Sequence, residues 1–184
     1  MSRLADIPLD EHGPRVTDLE SLYRQHAGAV YRFALSLSGD RSMAEDITSE
    51  TFIRLWTARD RLDLATVVGY LLTIARRLYL QGVSRDRRRE PLMTEPADEG
   101  PSQADAAESR RELEAVLADL QKLPEPDRAA LLLRAQEQMP YEQIACALGI
   151  TPGAAKVKVH RARQRLFALR EARHAGTTRL RGDT

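Results

Sequence analysis

Lys156, Lys158, His160, Arg161, Arg163 and Arg165 crowd six basic side chains into ten residues. The chemistry open to such a run is capture of a polyanion, because lysine and arginine neutralise phosphates and arginine can donate in pairs to a guanine edge. A second basic block, Arg76, Arg77, Arg85, Arg87, Arg88 and Arg89, lies far upstream. A third cluster is of another kind: Phe52, Ile53 and Trp56 stand beside Asp46 and Glu50. Large apolar anchors among charges suit a protein interface, although burial in a small core competes as the fate of Phe52 and Trp56.

Catalysis has little to stand on. His12, His26, His160 and His174 are scattered, Cys146 is the sole cysteine, and no glycine-rich phosphate cradle, nucleophile elbow or zinc-protease motif occurs. No enzyme activity, catalytic residue, metal or cofactor is therefore expected. Cys146 excludes an intramolecular disulfide and reads as small apolar filler. The N-terminus MSRLADIPLDEHG lacks a signal-peptide core and no apolar run is long enough to span a membrane, so a cytoplasmic protein is expected.

The elements that must position the basic run are legible around it. Tyr141 to Leu148 reads as a short helix with Ile144, Ala145 and Leu148 on one face, and Gly149 supplies a sharp turn. Thr151 can cap the next helix and Pro152 fits its first position, where a missing N–H costs nothing. On that helix Ala155, Val159 and Ala162 form a small apolar seam, with the basic residues over the remainder. A helix-turn-helix laid in the major groove of DNA fits this pattern. A solvated basic helix would share the charge, so the assignment leans on the agreement of turn, cap and charge.

The net charge of +1 conceals a separation of sign, since Glu95, Asp98, Glu99, Asp105, Glu108, Glu112 and Glu114 lie between the two basic blocks. Residues 1–16 read as a flexible leader. A helix then opens at a capping box, Thr17 with Glu20, and carries Leu19, Leu22, Val30, Phe33 and Leu37 on its apolar side until Gly39 and Asp40 end it. RSMAEDITSETFIRLWTA follows as an amphipathic helix with an acidic start, its apolar side near Ala44, Ile47, Thr51 and Leu55. After a polar connection, Leu71, Ile74, Leu78 and Val83 mark a long helix that turns arginine-rich.

Residues 90–108 are rich in Pro, Glu, Asp, Ser and Gly and read as an acidic flexible linker. Four further helices are expected over about 109–122, 127–138, 141–148 and 152–172, and 174–184 as a polar tail with no fused regulatory module. No alternating strand pattern competes. The fold class expected is all-α, with two small helical domains (17–89 and 109–173) joined by the linker and the second ending in the helix-turn-helix.

The chain resembles the sigma factors of bacterial RNA polymerase, in particular the small extracytoplasmic-function group of the sigma-70 family. The resemblance rests on AEDITSETFIRLW at 44–56, YLLTIARRLYL at 70–80 with the arginine run after it, and the stretch LPEPDRAALLLRAQEQMPYEQIACALGITPGAAKVKVHRARQRL at 123–166. It covers about 19–89 and 112–169. What it implies is promoter-specific transcription initiation. Residues 17–89 would match a region 2 that docks on the clamp helices of core polymerase, with Asp46, Ser49, Glu50, Phe52, Ile53 and Trp56 as contacts. The following loop and helix, with Arg59, Arg61, Asp63, Tyr70, Arg76, Arg77 and Tyr79, would read and open the minus-ten element. An arginine-lined groove and an aromatic face are what a melted strand needs.

Residues 109–173 would match a region 4 that grips the minus-thirty-five element and touches the polymerase flap. Ala155, Lys156, Lys158, His160, Arg161 and Arg163 sit where the family places base and phosphate contacts, Arg163 and Arg165 being the better suited to backbone. The resemblance also implies a separate anti-sigma factor. The chain departs from the family's pattern at Tyr70, Arg77 and Gln81, where Trp, Asn and Asp are common, and at Ser49 and Pro140. Two other readings remain at this point: a helix-turn-helix regulator that binds duplex DNA without polymerase, and a sigma-like decoy in a partner-switching circuit.

Overall fold

Alternation of apolar stripes with glycine and proline stops produces seven helices in a computed structural model that describes residues 19–58, 67–86 and 104–180. The first group comprises α1 (Leu19–Ser38), α2 (Arg41–Ala58) and α3 (Val67–Asp86). The second comprises α4 (Ala104–Gln121), α5 (Glu125–Gln136), α6 (Tyr141–Leu148) and α7 (Pro152–Leu180). No strand occurs among the described residues. The expected leader, the Thr17 cap, the loop residues Arg59, Arg61 and Asp63, the run Arg87 to Arg89 and the end of the tail lie outside them. Helix α4 begins at Ala104, so the last part of the 90–108 stretch is already helical.

In the first group the stripes are buried as spaced: Val30, Phe33 and Leu37 from α1, Ala44, Ile47, Thr51 and Leu55 from α2, Leu71, Leu72 and Ile74 from α3. Thr48 and Thr51 enter this core without cost in unpaired hydroxyls, because they donate to Ala44 and Ile47 carbonyls at 2.7 and 2.6 Å. Gly39, at φ 75°, ends α1 in the left-handed region, and Asp40 Oδ1 then accepts the Met43 N–H at 2.6 Å to open α2.

The second group closes on α5, whose Ala129 to Leu133 are buried, with Ile144 and Ala145 from α6 and Ala155, Val159 and Ala162 from α7. Burial is continuous between the groups, for α5 packs on α1 and α6 on α3. Among the described residues no helix is long and apolar enough to cross a membrane.

Candidate nucleic-acid interface

Helix α7 is aimed by the turn before it. Gly149 takes φ 68°, ψ 39°, and its own N–H and that of Ile150 return to α6 carbonyls, a Schellman-type stop. Thr151 Oγ1 accepts the Ala154 N–H at 3.2 Å, capping α7. With Ala155, Val159 and Ala162 at 1% exposure or less, the opposite face of a 3.6-residue helix is fixed. It carries Gly153, Lys156, Val157, His160, Arg161 and Gln164, all exposed.

Two sequence expectations change here. Ala155 has no exposed surface, because it is the first residue of the seam against the core, and it presents nothing to a base. Lys158 borders that seam and its Nζ pairs with Asp127 of α5 at 3.2 Å, so it leans inward. Arg163 is exposed on the flank, beside Lys156. Val157 and Gln164, also on the outer face, carry no charge and so do not stand out within the basic run. The signal was available: with 155, 159 and 162 assigned to the core, helical periodicity puts 157 and 164 directly opposite.

The α3 residues are less open. Tyr70 is 36% exposed and Arg77 is exposed, but Arg76 and Tyr79 turn toward the second group. Arg76 Nε and Nη2 donate to Glu125 Oε1 and Oε2 at 2.7 and 2.9 Å. Arg128 Nη2 donates to Tyr79 Oη at 2.9 Å. Sequence gave no sign of these partners, which lie on another helix 49 positions away.

On α2 the anchors divide. Phe52 is core, 4% exposed and edge-on to Tyr23 with ring centroids 4.8 Å apart, so it is no direct surface contact. Ile53 at 59% and Trp56 at 41% stand outside, which decides Trp56 against the core. Asp46 and Ser49 are exposed near them, and Glu50 Oε1 accepts from Arg54 Nε at 2.8 Å. One exposed ridge thus combines an aromatic, an aliphatic and acids, a composition suited to a protein partner with basic groups.

His26, with Leu22, Gln25, Val67, Glu137 and Met139, lines an open cavity of about 480 Å³ between the groups. Burial lowers its pKa below the ordinary 6.5, while the Glu137 carboxylate pulls the other way. The folded chain therefore binds fewer protons here than the unfolded one. The resulting stability is complete above pH 6.5 and is lost as pH falls from there through the lowered pKa. Thermal melts from neutral to mildly acidic pH should show this loss, and His26→Gln should flatten it; identical profiles would contradict the assignment.

Comparison with known proteins bears on both surfaces. The family model for sigma-70 region 2 matches residues 22–89, and that for sigma-70 region 4 matches 113–166. The chain is 38% identical to the ECF RNA polymerase sigma factor SigE of Mycolicibacterium smegmatis over 80% of its own length, and spans 59% of that protein. It is 31% identical to the RNA polymerase sigma factor CarQ of Myxococcus xanthus, covering 82% of this chain and 87% of CarQ. The fold matches the sigma factor RpoE of Bartonella quintana, solved in complex with the anti-sigma factor NepR, at TM-score 0.67 and 27% identity over 85% of this chain and 98% of that one.

Proposed function

The chain belongs to the sigma-70 family, in its extracytoplasmic-function branch, and from that premise we propose that it binds core RNA polymerase and directs promoter-specific transcription initiation. One observation carries the reading: a region 2 and a region 4 follow each other in a single chain, and each presents a surface fit for its task. The α2 ridge of Ile53 and Trp56 is the polymerase-docking face. Arg76, Arg77, Tyr70 and Tyr79 on α3 hold the non-template strand at the minus-ten element, and the outer face of α7 reads the minus-thirty-five element. The protein works in the cytoplasm, where the polymerase is, and the polymerase flap is a further contact of residues 109–173.

Opening by this chain is binding chemistry. Arginines neutralise phosphates and an aromatic ring stacks on a base only once the strand leaves the duplex, so these contacts favour the melted state and no hydrolysis is needed. On α7, Lys156, His160, Arg161 and the Val157 side chain meet base edges, the valine through a thymine methyl, while Arg163 positions on phosphate. That RpoE is solved with an anti-sigma factor supports control of this chain by a protein of that kind.

The test is transcription in vitro from a linear promoter library with the purified chain and its cognate core polymerase. Transcripts sharing an upstream and a minus-ten element are expected. No promoter-specific transcript with an active core would sink the reading.

A further inference from the structure

We propose that Asp127 of α5 is a specificity-determining residue for DNA: by holding Lys158 it keeps one cation of α7 off the phosphates and limits the grip that does not depend on sequence. The proposal rests on the reading of α7 as a duplex-facing helix. At about 100° per residue, Lys158 and Arg165 share one flank of α7, and Lys156 and Arg163 share the other. A helix in a major groove turns its flanks toward the two phosphate backbones, so a cation there can reach a phosphate. Lys156, Arg163 and Arg165 are exposed and open to that contact. Lys158 is the exception, with its side chain 25% exposed and its Nζ donating to Asp127 Oδ1 at 3.2 Å.

The carboxylate is fixed by the fold, whereas the lysine has a choice of partner. Asp127 stands in the first turn of α5, where the positive end of the helix favours an anion, and its side chain is 13% exposed. Helix α5 packs along α7 through buried residues of both, so Asp127 cannot follow a lysine that swings outward. For Lys158 to reach a phosphate, it must leave this largely buried carboxylate without its cation, and that penalty offsets the gain at the phosphate. A sequence-independent contact strengthens matched and mismatched sites alike. One more of them fills mismatched sites that a weaker grip leaves empty, while matched sites are already occupied. Withholding Lys158 therefore leaves more of the choice of site to the outer face of α7.

The experiment titrates the full chain into a fluorescent mixed-sequence duplex, read by anisotropy over a series of salt concentrations from low salt upward. Asp127→Asn frees Lys158, so the slope of log affinity against log salt should steepen by about 0.9 and binding at about 0.1 M salt should tighten about eightfold. Adding Lys158→Met to Asp127→Asn removes the freed cation and should return both readings to those of the parent. Simple loss of an acid near DNA would instead keep its gain in this double variant. Lys158→Met alone leaves Asp127 in place and should keep the parent slope, whereas a lysine already on a phosphate would cost about 0.9 of it. With core polymerase, Asp127→Asn should raise transcription several-fold from a promoter whose minus-thirty-five element is shuffled, and little from the matched one. A lowered slope in Lys158→Met, a gain that survives in the double variant, or equal effects on the two promoters overturns the proposal. So does absence of duplex binding by the parent at low salt. Failure of every promoter with an active core would strike the sigma reading and leave the slopes decisive.

Discussion

Replacing Arg76 and Arg77 together by alanine should lower promoter opening by about two to four orders of magnitude, since each charged hydrogen bond contributes about 1.5–3 kcal/mol and 1.4 kcal/mol is tenfold. Both residues are on α3, whereas Ile53 and Trp56, the polymerase contacts proposed above, are on α2, so core binding should survive. Permanganate footprinting of melted thymines reads the first effect and native gel shifts of core polymerase the second. The salt slope adds a sharper test, because removing two single-strand phosphate contacts should reduce it by about 1.4. The double variant also removes the Arg76–Glu125 pair between α3 and α5. Undiminished opening would contradict the role given to α3, and full dispensability of these arginines is what a sigma-like decoy would show.

Ile53→Ala with Trp56→Ala should cost core polymerase binding about 100- to 1,000-fold or more, the scale of losing two interface anchors each contributing about 2 kcal/mol. Both side chains are exposed, so the melting temperature should barely move. Phe52→Ala is the informative contrast. Its ring is buried against Tyr23, and truncation should destabilise the fold by about 3–5 kcal/mol, visible in urea denaturation before any binding is measured. If the exposed pair were replaced with no loss of affinity, the polymerase would have to dock elsewhere.

Much of this protein is written locally. The α1 stripe of Val30, Phe33 and Leu37, the stop at Gly39 and the Tyr141–Leu148 helix with its Gly149 turn all follow from interactions within a few residues, where helical spacing and a left-handed glycine leave little choice. The same locality made the basic face of α7 visible. It did not separate Lys156, which is exposed, from Lys158, which Asp127 draws inward from α5. Charge type alone carries no information about which neighbour a flexible side chain will meet.

The sequence by itself determined the helices, their order and the two kinds of surface, because apolar periodicity, caps and like-charge runs act over one or two turns. Tertiary structure alone decided which of Phe52, Ile53 and Trp56 would be core and which surface. It also decided that Arg76 and Tyr79 face Glu125 and Arg128. Those outcomes depend on how close helices far apart in the chain approach one another, and a carboxylate 49 positions away leaves no trace in the spacing of the residues it pairs with.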